Sequence, residues 1–314
     1  MIILAIETSC DETSIAILKN QKVLSNITVS QILEQQKYGG VVPSLAAKLH
    51  LETIQKVLKK VFSETKIKPT EIDYIAYTEE PGLVICLQIG KAIAETLSLY
   101  LNKPLIPCNH LMGHIYASLI DSQKDWHFPT LALIISGGHT QIYKLEKHLE
   151  FTLLGQTLDD AVGECLDKTA ILLGYLYPGG PVIEKLALNG KKKYFFTLPK
   201  NDNSLDFSFS GLKSEIARLV AKEEKIAVSN LAYSLQSTIA EILKIKLKNA
   251  WEKTNAQTII IGGGVIANNF LRNYLVASIK KWDNKINIHI PNQEYCTDNA
   301  AMIGILADYK VRLK

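Results

Sequence analysis

Two stretches of this chain repeat one pattern, and the repeat restricts the fold more than any other feature. Ile3-Leu4-Ala5-Ile6-Glu7-Thr8-Ser9 runs into Asp11-Glu12-Thr13-Ser14-Ile15-Ala16-Ile17-Leu18. Leu131-Ala132-Leu133-Ile134-Ile135-Ser136-Gly137-Gly138 runs into His139-Thr140-Gln141-Ile142-Tyr143-Lys144-Leu145. Each is a β-branched run, a short polar turn and a second strand, which is a β-hairpin. After the first hairpin, Leu45, Leu49, Ile54, Val57, Leu58 and Val61 recur at helical spacing over 44–62. A strand at 72–77, a helix over 90–101 and a short strand at 105–107 follow. After the second come helices near 159–173, 211–222 and 228–253, then a strand at 258–261. That strand ends in Gly262-Gly263-Gly264 and reopens as a helix at Asn268, before a strand at 286–290 and a last helix beginning near Thr297. Duplicated, hairpin-led α/β halves predict two similar lobes around a cleft. The polar stretch 121–126 divides them into an N-terminal lobe, 1–125, and a C-terminal lobe, 126–296. The final helix, 297–314, is expected to pack back on the first.

With 314 residues, 47% hydrophobic and 21% charged, the chain has enough apolar residues for two cores. The net charge of +4 is mild, and only three of the 35 basic residues are arginine. Composition therefore gives no nucleic-acid signature by itself. The five cysteines are scattered and form no Cys-x-x-Cys pair, which argues for reduced thiols and against a disulfide framework. Met1 leads straight into a strand-like run without a basic leader, and no apolar run looks long enough to span a membrane. The expectation is a cytoplasmic protein with no membrane partner.

His110-Leu111-Met112-Gly113-His114 sets two imidazoles four residues apart, on one face if the segment is helical. That spacing suits a metal pair and equally a packed helix face. It resembles the zincin signature but has Leu111 where a protease carries its general-base glutamate. Asp11 and Glu12 sit at the first hairpin turn, either solvated or orienting a metal, phosphate or nucleophile. Asp298 is placed at the first turn of the last helix, where answering the helix dipole competes with a ligand role. Ser136-Gly137-Gly138 lacks Cβ atoms where a ligand could meet the backbone, although a plain turn fits too. Gly262-Gly263-Gly264 ahead of a helix is phosphate-friendly but is not a dinucleotide fingerprint. Asp160, Glu164 and Asp167 are expected on one helix. His50, His127, His139, His148 and His289 lack metal spacing and read as ordinary residues.

Six motifs occur in order: Glu7-Thr8-Ser9-Cys10-Asp11-Glu12-Thr13, Tyr38-Gly39-Gly40-Val41-Val42-Pro43, His110-x-x-x-His114, Ser136-Gly137-Gly138-His139-Thr140-Gln141, Asp206-Phe207-Ser208-Phe209-Ser210-Gly211-Leu212-Lys213 and Cys296-Thr297-Asp298-Asn299. Together they resemble the TsaD family, the tRNA N6-adenosine threonylcarbamoyltransferases, once labelled glycoproteases. The resemblance covers nearly the whole chain. It implies an α/β fold of two actin-, hexokinase- or chaperone-ATPase-like (ribonuclease H-like) lobes. It also implies one divalent metal held by His110, His114 and Asp298, usually Fe2+ in bacterial members, with Zn2+ and Mg2+ as alternatives. Ile134, Ile135, Ser136, Gly137, Gly138, Asp167, Gly180, Glu184 and Asn268 would hold threonylcarbamoyl-AMP, and Asp11 or Glu12 would take a proton in catalysis. The expected partners are tRNA, a TsaB-like dimer partner and a TsaE-like ATPase.

The chain also departs from the family pattern. Met112 removes an acid beside the histidines, Glu80 stands where glycine is typical, and Ile266, Asn269 and Ala300 replace the usual serine, arginine and glycine. These positions bear on metal affinity and on the fit of the adenylate. Three rival readings stand beside this one: a metallopeptidase, a catalytically silent nucleotide-binding scaffold, and a sugar kinase, the last favoured by fold alone.

Overall fold

The computed structural model describes residues 1–122, 124–198, 202–222 and 225–313. They form two compact units, Met1–Asp125 with Pro291–Lys314, and Trp126–Ile290.

The first unit contains β1 (Ile2–Glu7), β2 (Glu12–Lys19), β3 (Lys22–Ser30), α1 (Ile32–Gln35), α2 (Pro43–Thr65), β4 (Tyr74–Glu80), α3 (Val84–Leu101), β5 (Leu105–Asn109) and α4 (His110–Tyr116). Its sheet runs β3-β2-β1-β4-β5. The first three strands are antiparallel, whereas β4 and β5 lie parallel to β1. Every residue of β1 is buried, as expected of a central strand covered on both faces. Leu4, Ile6, Ile15 and Ile17 join Ile54, Val57 and Val61 of α2 in one core. Burying each such side chain contributes about 1.5–3 kcal/mol.

The second unit contains β6 (Thr130–Ile135), β7 (Thr140–Leu145), β8 (Phe151–Gln156), α5 (Val162–Leu172), α6 (Gly179–Ala187), α7 (Ser210–Lys222), α8 (Val228–Thr254), β9 (Thr258–Gly262), α9 (Asn269–Trp282) and β10 (Asn287–His289). Its sheet runs β10-β9-β6-β7-β8. The leading hairpin is again antiparallel, and the two later strands are again parallel to its first strand. The two sheets thus share one topology, which the repeated hairpins foretold. The last helix, α10 (Ala300–Arg312), belongs to the first unit and packs on β1 and β2. Gly304 lies so close to Leu18 that a Cβ there would collide with its side chain.

Several boundaries differ from the sequence reading. α3 begins at Val84 rather than Gly90, and Asp160 precedes α5 instead of sharing it with Glu164 and Asp167. A 3-10 turn at Gly264–Ala267 precedes α9. α3 is also long and apolar enough by length and composition to cross a membrane, contrary to the expectation that no run would be. Here it packs against β4 and α2 within the first unit.

Gly263 joins β9 to that 3-10 turn at φ +93, and a Cβ on it would press into the Ile135 carbonyl and sit 2.9 Å from the Ile135 nitrogen. Left-handed strain and backbone collision act together, so Gly263→Ala is expected to cost about 3 kcal/mol. Urea unfolding measures it; a loss below about 0.5 kcal/mol would contradict the close approach.

Candidate functional site

β5 runs directly into α4, and Asn109 makes the junction. Its Oδ1 accepts from the backbone N–H of Leu111 (3.0 Å) and Met112 (3.1 Å), satisfying two donors that open the helix. One turn apart on α4, the buried rings of His110 and His114 meet edge to face at 4.7 Å. Gly113 between them admits α10: a Cβ there would lie 2.9 Å from Ile303 Cδ1.

Asp298 is not in the first turn of α10, as expected from sequence, but in the loop one residue before the helix cap, Asn299. Asn299 Oδ1 accepts from Met302 N–H (3.1 Å), Ser14 Oγ from Ala300 N–H (2.9 Å) and Asn26 Oδ1 from Ala301 N–H (3.1 Å). Side chains of β2 and β3 therefore fix the helix start, and Asp298 with it. Asp298 Oδ1 then lies 3.1 Å from His114 Nε2 and 3.6 Å from His110 Nε2. Two imidazole nitrogens and one carboxylate oxygen converge within 4.8 Å of one another.

Sequence reasoning missed the group that aims His110. Glu7, fully buried at the end of β1, accepts from His110 Nδ1 at 3.2 Å, and Ser9 Oγ lies 3.1 Å from the same nitrogen. Glu7 is itself held by Ser9 N–H (2.5 Å) and the Thr78 hydroxyl. With Nδ1–H committed to Glu7, Nε2 is presented toward Asp298, the outer-shell arrangement that orients metal-ligating histidines. A carboxylate closing an otherwise apolar strand was the available signal.

Burial alone would lower the His110 pKa, but Asp298 and then Glu7 outweigh it and raise it to about 9. Burial would likewise raise Glu7, yet the His110 charge and hydrogen bond hold it below the ordinary carboxylate range. Glu12 opens β2, and its pKa is pushed well up by burial, then by the charges of Asp298 and Asp11. Asp11 is buried in the preceding turn, its carbonyl accepting from Gln31 N–H (2.9 Å). Glu7 and Asp298 thus bring two carboxylates to the imidazoles, and Glu12 feels the charges of Asp298, Asp11 and Glu7. The Asp298 carboxylate and two converging Nε2 atoms fit a divalent cation, and the N,N,O donor set suits borderline metals such as iron or zinc.

In the second unit, the β6–β7 turn carries Ser136, Gly137 and Gly138. Ser136 N–H donates to the His139 carbonyl (2.8 Å), and Ser136 Oγ accepts from His139 N–H (3.1 Å). Both glycines are exposed, with open space where a Cβ would be. The N-terminus of α5 abuts the turn, for a Cβ on Gly163 would lie 2.7 Å from Gly137 Cα. Helix N–H groups and dipole there favour an anion.

The other substrate candidates form a chain of contacts around this end of the sheet. Asp167 Oδ1 accepts from Gly179 N–H (2.6 Å) at the start of α6, next to Gly180. Glu184 on α6 accepts from Asn269 N–H (2.8 Å) at the start of α9, and Asn268 caps α9 through Leu271 N–H (3.0 Å). Ile134 and Ile135 are wholly buried within β6 and carry the exposed turn that follows. β6 and β9 are parallel with Ile134 opposite Gly262, so the Ser136 turn and the Gly263 turn leave the same ends of adjacent strands. Ligands favour the carboxyl ends of such strands. Asp159, which the sequence did not single out, gathers the Ser208-Phe209-Ser210 motif through Ser208 Oγ (2.5 Å), Phe209 N–H (2.7 Å) and Ser210 Oγ (2.7 Å).

Among solved structures, T. kodakarensis HypF resembles the chain with a TM-score of 0.66 at 13% identity, covering 99% of this chain and 48% of that one. The ROK hexokinase from Thermus thermophilus gives 0.54 at 12%, covering 100% of both. These likenesses speak for the two-lobed actin- and hexokinase-like fold alone. Sequence relatives say more. A protein of Mycoplasma capricolum subsp. capricolum named tRNA N6-adenosine threonylcarbamoyltransferase is 47% identical over 320 residues, covering 100% of this chain and 99% of the relative. One of the same name from Thermosipho melanesiensis is 45% identical, covering 99% and 95%. The family profile described as TsaD, tRNA N6-adenosine threonylcarbamoyltransferase, matches residues 22–305, a span that includes His110, His114, Asp298 and the Ser136 turn. The chain therefore belongs to the TsaD family of tRNA-modifying acyltransferases.

Proposed function

We propose that this chain transfers the threonylcarbamoyl group from threonylcarbamoyl-AMP to the N6 amino group of the adenosine beside the anticodon, in tRNAs reading codons that start with A. The convergence of His110, His114 and Asp298, in a chain of this family, carries the reading. The adenosine amine attacks the carbamoyl carbon, a C–N bond forms, the bond to the phosphate oxygen breaks, and AMP leaves.

His110, His114 and Asp298 would hold the divalent metal, Fe2+ in preference to Zn2+ or Mg2+. When bound, it supplies a Lewis acid that draws charge from the donor carbonyl. Glu7 keeps the His110 ring aimed. Asp11 and Glu12 form the carboxyl pair that takes the proton shed by N6, and burial holds the Glu12 pKa well above the ordinary carboxylate range. In the second unit, the turn Ser136-Gly137-Gly138, set in place by Ile134 and Ile135 of β6, lines the adenylate against the N-terminus of α5. Asp167, Gly180, Glu184 and Asn268 hold the neighbouring helix starts.

The protein would work in the cytoplasm, away from membranes, with a TsaB-like dimer partner and a TsaE-like ATPase. The exposed apolar side chains of α3 (Val84, Leu99 and Tyr100) offer such a dimer partner a surface. Exposed Lys191, Lys192 and Lys193 beside Phe195, which is 80% exposed, offer phosphate and base contacts to tRNA. A mild overall charge makes the chain alone a weak tRNA binder, so the partners supply the remaining affinity.

The test is nucleoside mass spectrometry of tRNA incubated with this protein, its partners, ATP, threonine, bicarbonate and the other pathway enzymes, including the one that makes the adenylate from them. Threonylcarbamoyladenosine is expected only when the chain is present. Its equal appearance without the chain would refute the reading, and its absence with every component present would favour a silent scaffold.

A further inference from the structure

His50, read from sequence as an ordinary residue, is wholly buried on α2. Its ring nitrogens contact both ends of one short segment: Nε2 lies 2.9 Å from the Cys10 carbonyl and Nδ1 2.7 Å from Thr13 Oγ1. A carbonyl only accepts, so the hydrogen is on Nε2. In the neutral ring Nδ1 is then an acceptor, and the Thr13 hydroxyl donates to it. Burial holds the His50 pKa below its ordinary value, in keeping with a neutral ring.

The segment between those contacts is Asp11 and Glu12. The carbonyls leading into that segment are held by three different parts of the unit: Ser9 by Leu83 N–H (2.7 Å), Cys10 by His50, and Asp11 by Gln31 N–H (2.9 Å). Among these three braces, His50 is the one supplied by a side chain. It is also the one that grips the turn at both ends.

We infer that His50 is a positioning residue for this reaction: its imidazole, with the hydrogen on Nε2, clamps Cys10 to Thr13 and so fixes the direction in which Asp11 and Glu12 point. The inference rests on the reading of Asp11 and Glu12 as the proton-accepting pair. Misplacing a reacting group by about 1 Å costs about a hundredfold in rate, so a loosened clamp shows in turnover before it shows in binding.

The test compares His50→Leu, His50→Gln and Thr13→Val in the complete complex, with Asp11→Asn and Glu12→Gln as references. His50→Leu is expected to lower kcat at least about tenfold, with KM for the adenylate within about twofold and metal content unchanged. His50→Gln, whose amide supplies one donor and one acceptor, should recover to within about threefold of wild type. Thr13→Val removes one end of the clamp without changing side-chain shape, and should fall between; it carries the comparison if His50→Leu does not fold. Nitrogen NMR of the imidazole should find hydrogen on Nε2 and none on Nδ1. Wild-type kcat in His50→Leu, or His50→Gln as impaired as His50→Leu, would overturn the clamp. If Asp11→Asn and Glu12→Gln both keep wild-type kcat, the proton-accepting role is what fails. The NMR then decides the clamp alone, and hydrogen on Nδ1 would refute it.

Discussion

Purified wild-type protein is expected to carry about one equivalent of divalent metal, and Asp298→Ala less than about a tenth of one. Asp298 supplies the only oxygen among the three converging ligand atoms and reaches both Nε2 atoms. Its removal leaves two imidazoles on one face of α4, too few to retain a metal through purification. Turnover should fall about a thousandfold, since Lewis-acid stabilisation of a developing oxyanion is worth several kcal/mol. His114→Ala should behave alike. His110→Ala needs separate treatment because it also strips the fully buried Glu7 of its partner. Breaking a buried ion pair from one side costs up to about 3–5 kcal/mol, here reduced by the Ser9 N–H and Thr78 hydroxyl that still hold Glu7, so that variant should lose both metal and stability. Metal analysis together with urea unfolding separates the two effects. Unchanged metal content in Asp298→Ala and His114→Ala would remove the site from the functional reading.

Gly137→Val should lower affinity for the adenylate, or for a stable analogue, by at least about a hundredfold while leaving the fold intact. The free protein has open space at the Gly137 Cβ position, and its backbone is not in the left-handed region. The branched side chain therefore starts in open space and stands in the way of what approaches the turn. Gly163→Ala is the contrasting variant, because its Cβ would press on Gly137 Cα and displace the turn from within. Titration calorimetry reads the affinity, and the metal equivalent in the first unit should stay unchanged. Adenylate binding at wild-type strength by folded Gly137→Val would make the turn a turn and nothing more.

The features legible in the sequence share one property: each is a spacing within a few residues. The hairpins at 3–18 and 131–145 appear as β-branched runs around small polar turns, and both sheets are built on them. The i, i+4 relation of His110 and His114 needs only a helix to bring the rings together. The glycines of the Ser136 turn declare an exposed backbone by lacking side chains. Resemblance to a known family added Asp298, which no local pattern attaches to the histidines.

What only the tertiary structure decided lies between residues far apart in the chain. Asp298 and His114 are 184 positions apart, and they meet because Ser14, Asn26 and Asn299 fix the start of α10 while Gly113 lets that helix approach α4. Glu7 reaches His110 across 103 positions, and His50 reaches Cys10 across 40. A histidine with no partner at ligand spacing is indistinguishable in sequence from any other buried residue. Local periodicity is set by backbone geometry, which each segment carries with it. Which ring nitrogen meets which carboxylate is set by how helices settle on a sheet, and that depends on side-chain volumes and capping groups contributed from the whole unit.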